Sequence, residues 1–359
     1  MNPITNQPVF VTGASGFVAS HIIQQLLDAG YRVRGSVRKK NGPSVTHLQR
    51  LPGAERLELV EADLLDAPVW RDALAGCAYV LHTASPYALD VKDPQRDLVD
   101  PALQGTRHVI EAASSSKALV LVVVTSSMAA VTDEPDADRV LTEADWNESS
   151  SLERNPYYYS KTVAEREAWH LAEQLRLSVV TINPFVIIGP SLSPGLNTSN
   201  AIFADLLGGV YPGIMRLTWG LVDVRDVARA HIEAIERPGA SGRYLCAAGT
   251  ITMREVVELL NEAGYQDYKL PRLGLDCTVG DYAVRLSSYF QPKGVGTYLR
   301  THIGRTPRFD TLKIQEQLGL RYRALADTIR DTVADVVRQG HVTAAGASAA
   351  ARSTEGVRP

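Results

Sequence analysis

The sequence predicts an α/β protein built on a doubly wound parallel sheet, with a smaller C-terminal domain interleaved with it. Short apolar runs alternate with longer helical patterns through the first half of the 359-residue chain. Strands and helices that alternate in this way form a parallel sheet covered on both faces. A glycine-rich turn joins the first strand to the first helix, and the regular alternation breaks after Pro184 in a loop rich in Pro, Gly, Ser and Asn.

Six buried strands follow one another in the first half of the chain. They are PVFVTG, YRVRGSVR, RLELVEAD, AYVLHTAS, ALVLVVVTSS and SVVTINP. The first helix has one apolar face and stops at Gly30, and further helical patterns cover residues 94–116 and the segment that begins at Asn155. The alternation of strand and helix returns near WGLVDVRDVARAHIEAIE and GRYLCAAG.

The composition is that of a soluble globular protein, and we expect its partner to be a small molecule. Hydrophobic residues make up 45% and charged residues 21% of the chain, and the net charge of -3 argues against a nucleic-acid or anionic-membrane surface. The three cysteines are far apart and indicate neither a disulfide framework nor a zinc site. No apolar run has the length of a spanning helix and the first residues lack the pattern of a signal peptide, so we expect a cytoplasmic protein without a membrane partner. We also expect no nucleic-acid partner, and a monomer or homodimer.

The turn VTGASGFVAS carries Gly13, Gly16 and Ala19 at the spacing of a dinucleotide-binding turn. Gly13 permits a tight turn, Gly16 lets the backbone approach a pyrophosphate, and Ala19 lets the helix pack closely on the sheet. The amides at the start of the helix then face the diphosphate.

The second strand ends in GSVRKK, where a cofactor without a 2′-phosphate usually meets a carboxylate. Arg38 instead offers a guanidinium suited to a phosphate, which favours NADP(H). A solvated basic strand end is the alternative. Asp63 and Leu64 follow the third strand, where they could flank the adenine, although Asp63 could equally be a helix cap.

These signals predict the domain boundaries. The dinucleotide-binding domain spans residues 1–183 and is rejoined by residues 220–247. The substrate domain comprises residues 184–219 and 248–339. Residues 340–359 are rich in small residues without a pattern and are predicted to form a disordered tail.

The stretch NPYYYSK places three tyrosines before a lysine, at the start of a helical pattern. Residues three or four apart share a helix face, so Tyr159 is excluded as a close partner of Lys161. The spacing of four favours Tyr157, whose phenol can lose a proton more readily beside an ammonium group. Ser126 and Ser127 stand at the carboxyl end of the fifth strand, where ligands of open α/β sheets bind and a hydroxyl could hold a carbonyl oxygen.

Together the glycine turn, the strand-end serine and Y-x-x-x-K resemble the extended short-chain dehydrogenase/reductase superfamily, which has a Rossmann-like sheet. VTGASGFVASHIIQQLLDAGYRVRGSVR, NPYYYSKTVAEREAW and NPFVIIGP are similar to the dihydroflavonol reductase, cinnamoyl-CoA reductase and fungal or bacterial aldehyde/carbonyl reductase group, over about residues 8–338. The resemblance implies that Ser127, Tyr157 and Lys161 are catalytic. Together with the patterns above, it predicts a cofactor site formed by Gly13, Ala14, Ser15, Gly16, Phe17, Val18, Arg38, Lys39, Asp63, Leu64, Thr83, Ala84, Ser85, Tyr157, Lys161, Pro184, Phe185, Val186 and Ile187.

Departures from the resembling enzymes narrow the substrate class. Cinnamoyl-CoA reductases carry N-W-Y-C-Y-G-K, whereas Pro156, Tyr158 and Ser160 replace the tryptophan, cysteine and glycine here. Thr132 stands where plant dihydroflavonol reductases have an asparagine that holds the flavonoid. Neither a CoA thioester nor a flavonoid is therefore expected. The proposed pocket residues are Tyr87, Met128, Tyr158 and Phe203, with Phe185, Tyr282 and Phe290 as further candidates.

The function predicted is NADPH-dependent reduction of an aldehyde or ketone, with Tyr157 as the proton donor. A hydroxysteroid dehydrogenase or a sugar-nucleotide epimerase of the same superfamily is an alternative, although Arg38 argues against an NAD-retaining epimerase. A non-catalytic NADP-sensing regulator is an alternative of another class. It would have no reason to keep the serine, tyrosine and lysine together.

Overall fold

The computed structural model describes residues 7–86, 91–135 and 138–344. Its strands are β1 (Val9–Val11), β2 (Val33–Val37), β3 (Leu57–Glu61), β4 (Tyr79–His82), β5 (Leu121–Thr125), β6 (Val140–Leu141), β7 (Val179–Pro184), β8 (Val186–Ile188), β9 (Ile214–Met215), β10 (Thr218–Asp223), β11 (Gly242–Cys246), β12 (Gly249–Thr252), β13 (Gly274–Leu275) and β14 (Arg308–Phe309). Its helices are α1 (Phe17–Asp28), α2 (Thr46–Gln49), α3 (Val69–Ala73), α4 (Asp100–Ser114), α5 (Pro156–Leu175), α6 (Thr198–Gly208), α7 (Val224–Glu236), α8 (Met253–Glu262), α9 (Thr278–Ser287), α10 (Lys293–His302), α11 (Leu312–Leu318) and α12 (Leu325–Arg338). Short 3₁₀ turns lie at Ala54–Arg56, Met128–Ala130 and Ser288–Phe290, and a π-helical turn at Gln95–Val99 precedes α4.

Seven strands form one large sheet in the order β11-β7-β5-β4-β1-β2-β3. Every neighbouring pair in it is parallel. The six strands predicted from the sequence all belong to this sheet, and β11 adds the seventh. The Rossmann-like fold class is confirmed.

Helices cover both faces of the large sheet, as a buried parallel sheet requires. On one face α1 packs against α7, and apolar residues such as Ile22, Leu26 and Val227 form a core with the strands. On the other face α3, α4 and α5 enclose a second core that includes Trp70 and Ile110. The sheet is therefore held rigidly between two apolar layers.

A smaller region surrounds a third core. It has a three-stranded sheet in the order β12-β10-β8, against which α6, α8 and α12 pack. Phe203, Trp219 and Ile329 are buried in this core.

Two segments belong to a different region of the structure than the sequence predicted. Residues 220–223 belong to β10, which pairs with β8 and β12 rather than with the large sheet, so the return to that sheet begins at α7. Helix α11, placed in the substrate domain by the sequence, packs under the large sheet through Ile314 and Leu318. The sequence pattern missed this because periodicity reveals that a helix has an apolar face, not which core covers it.

The first residues of the predicted disordered tail are in contact with the folded part of the chain. Gly340 still bonds to the last turn of α12, and Val342 packs against the third core. Residues 345–359 of the predicted tail lie outside the described residues. Over the described ranges, the structure has no helix that is both long and apolar enough to cross a membrane.

We predict that Arg176→Gly raises the free energy of unfolding by about 0.5–1 kcal/mol. Arg176 ends α5 in the left-handed conformation with φ 53°, which costs a residue with a Cβ roughly 1 kcal/mol and costs glycine almost nothing. Urea unfolding of the purified variant measures the change.

Arg176→Ala is the matched control, because alanine removes the same side chain but keeps the Cβ. Equal stability of the glycine and alanine variants would contradict the explanation.

Candidate active site

A cavity of about 780 Å³ opens at the carboxyl ends of the large sheet's strands and extends to the smaller region. Most of the residues predicted from the sequence line it. They are Gly13, Ser15, Gly16, Phe17, Val18, Arg38, Asp63, Leu64, Thr83, Ala84, Ser85, Ser127, Met128, Tyr157, Tyr158, Lys161, Pro184, Phe185, Val186 and Ile187. Gly13 and Ile187, which are 174 positions apart in the chain, thus line the same cavity.

Three predicted site residues do not line this cavity. Ala14 is buried against β2, because its side chain points toward Gly35. Lys39 is exposed beyond the end of β2. Phe203 is a correction: its side chain is 1% exposed and fills the third core, since α6 turns that face inward.

Of the further pocket candidates, Phe185 lines the cavity, whereas Tyr282 and Phe290 do not. Tyr87 lies outside the described residues. Tyr282 and Phe290 are 71% and 87% exposed on the surface. Sequence alone does not tell which way a side chain points. For this reason it could not distinguish Tyr282 and Phe290, which lie on the surface, from Met128 and Tyr158, which line the cavity.

The glycine turn forms a backbone cradle at one end of the cavity. Gly13 has φ +64°, and a Cβ there would lie 2.9 Å from the Cβ of Ala84. Helix α1 starts directly after Gly16, and no side chain in the described ranges is hydrogen-bonded as its N-cap. Its first amides therefore remain available to an anion such as a pyrophosphate, which suits the helix's positive end.

Hydrogen bonds fix the strand ends around this cradle. The Thr12 hydroxyl oxygen accepts from the amides of Thr83 and Ala84, at 3.0 and 2.9 Å, and so joins β1 to the segment after β4. The Gly13 amide donates to the Ser36 hydroxyl at 3.0 Å. These hydrogen bonds connect the glycine turn with the end of β2 and with the segment after β4.

The end of β2 presents a cation to the cavity. Arg38 is exposed and lines the cavity wall, and Asp63, two residues after the end of β3, lines it too. Asp63 accepts the amide of Leu65 at 2.9 Å and so stabilises its own turn. An exposed guanidinium at this point can hold a phosphate bidentately.

The tyrosine and lysine are placed as the helical spacing predicts. Tyr157 lies in the first turn of α5, and the Lys161 ammonium is 5.8 Å from the centre of its ring. Lys161 is buried, and this burial lowers its pKa to about 8. Tyr159 does not line the cavity, whereas Tyr158 does, with its ring 5.9 Å from that of Tyr157.

Ser127 follows β5 in extended conformation and begins the 3₁₀ turn. Its oxygen accepts the amide of Ala129 at 3.1 Å, so its own hydroxyl hydrogen can donate toward the cavity. Ser126 also lines the cavity, but its hydroxyl donates to buried Glu165. The two serine hydroxyls therefore have different partners, and that of Ser127 is the one able to donate toward the cavity.

A left-handed residue sets the start of α5. Asn155 has φ 51°, and its side-chain amide donates to Asp133 at 3.2 Å. Arg154 also donates to Asp133, at 3.0 Å. These contacts bind the start of α5 to the segment that begins at Ser127.

Sequence reasoning missed the far wall of the cavity. Tyr298 and His302 on α10 line it, with ring centres 4.1 Å apart, and His302 lies 3.4 Å from the Tyr158 hydroxyl. Burial lowers the pKa of His302 to about 4, so the imidazole is neutral at pH 7. No local signal identifies these two residues, because they meet Tyr158 from 140 and 144 positions away in the chain.

Gly220 also lines the cavity, and a Cβ there would collide with the ring of Phe185. This close approach keeps the Phe185 ring in the cavity wall. Within the described ranges, His, Cys, Asp and Glu side chains form no group of three that could hold a metal ion.

Comparisons with known proteins agree with this geometry. Residues 9–247, well over half of the chain, match the NAD dependent epimerase/dehydratase family. Cinnamoyl-CoA reductase 1 of Petunia hybrida is 37% identical over 95% of this chain and 96% of its own. Tetraketide alpha-pyrone reductase 1 of Arabidopsis thaliana is 35% identical over 93% of this chain and 97% of its own.

A similar solved structure is that of the yeast methylglyoxal/isovaleraldehyde reductase complexed with NADPH. It superposes with a TM-score of 0.77 at 28% identity and covers 93% of this chain and 100% of its own. The similarity to named reductases in both comparisons identifies the chain as an oxidoreductase. The chain belongs to the NAD dependent epimerase/dehydratase family.

Proposed function

We propose that this protein reduces an aldehyde or ketone to the alcohol with NADPH. The observation that carries the proposal is that Tyr157 and Lys161, one helical turn apart, line the same cavity as the Gly13 turn and Arg38. A proton donor and a site suited to a phosphorylated dinucleotide therefore share one enclosed space.

The residues present fit NADPH. The cradle at Gly13 excludes a side chain, and the α1 amides suit a pyrophosphate. Arg38 would hold the 2′-phosphate, and Lys161 would bond the nicotinamide ribose. NADPH supplies the hydride for the carbonyl carbon when it is bound.

Three side chains would handle the oxygen of the substrate. Ser127 donates its hydroxyl hydrogen to the carbonyl oxygen and orients it. Tyr157 gives its phenolic proton to the oxygen as negative charge develops there. Lys161, when charged, stabilises the phenolate that remains on Tyr157.

The substrate end of the cavity favours an aromatic or bulky carbonyl compound. Met128, Tyr158, Phe185, Trp219 and Tyr298 offer apolar surface there, and an aromatic ring can stack on such walls. The replacements at Pro156, Tyr158 and Ser160, in the pattern that cinnamoyl-CoA reductases carry, argue against a CoA thioester.

We predict that Tyr157→Phe lowers kcat by about 100- to 10,000-fold, the usual value of general acid catalysis. The variant keeps the ring and its packing, so we expect a folded protein with wild-type affinity for NADPH. Steady-state kinetics and fluorescence titration with NADPH measure the two quantities.

Tyr159→Phe is the control on the same helix turn, and it should leave kcat nearly unchanged. Wild-type turnover of Tyr157→Phe, with loss in a neighbouring variant, would overturn the assignment.

We predict that Arg38→Asp weakens NADPH binding by about 10- to 100-fold more than NADH binding. The change removes a charge-assisted hydrogen bond and places a negative charge beside the 2′-phosphate. Binding constants for the two cofactors measure this difference.

Lys39→Asp changes the net charge equally at the neighbouring position, which does not line the cavity. It should cause a much smaller cofactor preference. An equal weakening of NADPH and NADH by Arg38→Asp would contradict the role of Arg38.

We predict that kcat/KM for an aryl ketone or a diketone exceeds that for acetaldehyde by about tenfold or more. Burial of the larger apolar group against the aromatic wall supplies the difference. NADPH oxidation over a panel of aldehydes, α-diketones, β-keto esters and cinnamoyl-CoA makes the comparison. Highest specificity for acetaldehyde, or for the CoA thioester, would contradict this pocket assignment.

A further inference from the structure

Glu165 is a buried carboxylate that lies on α5 one helical turn after Lys161. Its side chain is 0% exposed. It accepts hydrogen bonds from Ser126, Trp169, Thr181, Asn183 and Arg243. These donors, which include the guanidinium of Arg243, are the partners that a buried carboxylate needs.

Glu165 does not line the large cavity and so cannot touch a substrate there. It lines instead a separate small cavity of about 10 Å³, together with Lys161. The spacing of four residues puts both side chains on one face of α5. The carboxylate is therefore placed to act on Lys161 from behind the active site.

The Glu165 network also holds the segment that starts at Ser127. Arg243 on β11 donates to Glu165 at 2.7 Å and to the backbone carbonyl oxygens of Glu143 and Asp145. Asn183 donates both to Glu165, at 2.7 Å, and to the carbonyl oxygen of Ser127, at 3.3 Å. One buried charge thus connects α5, β7 and β11 to the turn that carries the serine.

Among the described residues, Glu165 is the carboxylate that lies near Lys161. His82 on β4 faces the same small cavity, but burial lowers its pKa to about 3 and keeps it neutral. Arg243 on β11 is the nearby cation, and it is paired with Glu165. Tyr157 on the same helix is a further titratable neighbour, with its ring centre 5.8 Å from the ammonium. Burial lowers the pKa of Lys161, and Glu165 opposes that effect.

We propose that Glu165 is a positioning residue that keeps Lys161 charged and, through Asn183, holds the Ser127 turn in place. The inference rests on the proposed reductase function for its kinetic consequence. Without Glu165 the lysine would lose its proton at lower pH, and Tyr157 would lose the charge that stabilises its phenolate.

The test is the pH dependence of kcat/KM for Glu165→Gln, with NADPH and a substrate that the wild-type enzyme reduces. Glutamine keeps the size and one of the two acceptor oxygens but removes the charge. We expect the alkaline limb to move to lower pH by about one unit, as expected from loss of a nearby opposite charge. A purely structural role would change kcat without moving this limb.

Glu165→Asp and Glu167→Gln are the matched variants. Aspartate retains the charge and should keep the alkaline limb near its wild-type position. Glu167 is on the same helix but pairs with Arg107 at 2.7 Å, away from both cavities, so its glutamine variant should leave the limb unmoved.

A second readout does not depend on activity. In protein labelled with ¹³C at the lysine ε-carbon, NMR titration without cofactor follows Lys161 directly, with Lys161→Met used to assign its signal. We expect the Lys161 transition at lower pH in Glu165→Gln than in the wild type. If the wild type reduces no carbonyl compound, the proposed function fails, but this titration still decides the role of Glu165.

Arg243→Gln supplies the opposite change if Glu165→Gln does not fold. Without the positive charge of Arg243, the negative charge of Glu165 acts more strongly on Lys161. The midpoint of the Lys161 titration should therefore move to higher pH. The inference is overturned if a folded Glu165→Gln leaves the Lys161 transition and the alkaline limb unchanged, or if Arg243→Gln lowers them.

Discussion

The parallel direction of all seven strands in the large sheet is the constraint on which the site depends. Parallel strands bring their carboxyl ends to one edge, and the chain must leave the sheet there before it crosses back through a helix. The glycine turn after β1, Arg38 after β2, Thr83 after β4 and Ser127 after β5 therefore converge on one cavity. Helices on both faces keep this edge rigid.

Buried charge is the second determinant of the site. Lys161 is buried, and a buried ammonium is costly unless opposite charge compensates it. Glu165 lies one turn away and is itself compensated by Arg243. The same groups bind the backbone after β5, so the electrostatics and the geometry of the proposed catalytic residues depend on one network. Such a network is effective only when every member is satisfied.

The two regions contribute different chemistry to the cavity. The large sheet supplies backbone amides, a cation and the Ser127, Tyr157 and Lys161 side chains. The smaller region supplies the apolar far wall, with Tyr298 and His302 from α10 and Trp219 from β10. In the proposed reductase, cofactor and chemistry would belong to the first and substrate preference to the second. This division suits a family in which one fold serves many substrates.

The sequence by itself determined the parts whose spacing is local. The six strands, the turn at Gly13 and the i to i+4 relation of Tyr157 and Lys161 all follow from periods of two to four residues, which backbone geometry fixes. Tertiary structure alone decided which aromatic residues face the cavity: Phe203 fills a core, whereas Tyr298 and His302 reach the site from a distant helix. It also gave Ser126 a buried partner in Glu165, packed α11 under the large sheet and paired Glu165 with Arg243 across 78 positions. Contacts of this kind depend on how helices and strands pack against one another, and sequence periodicity records which face of an element is apolar but not which partner covers it.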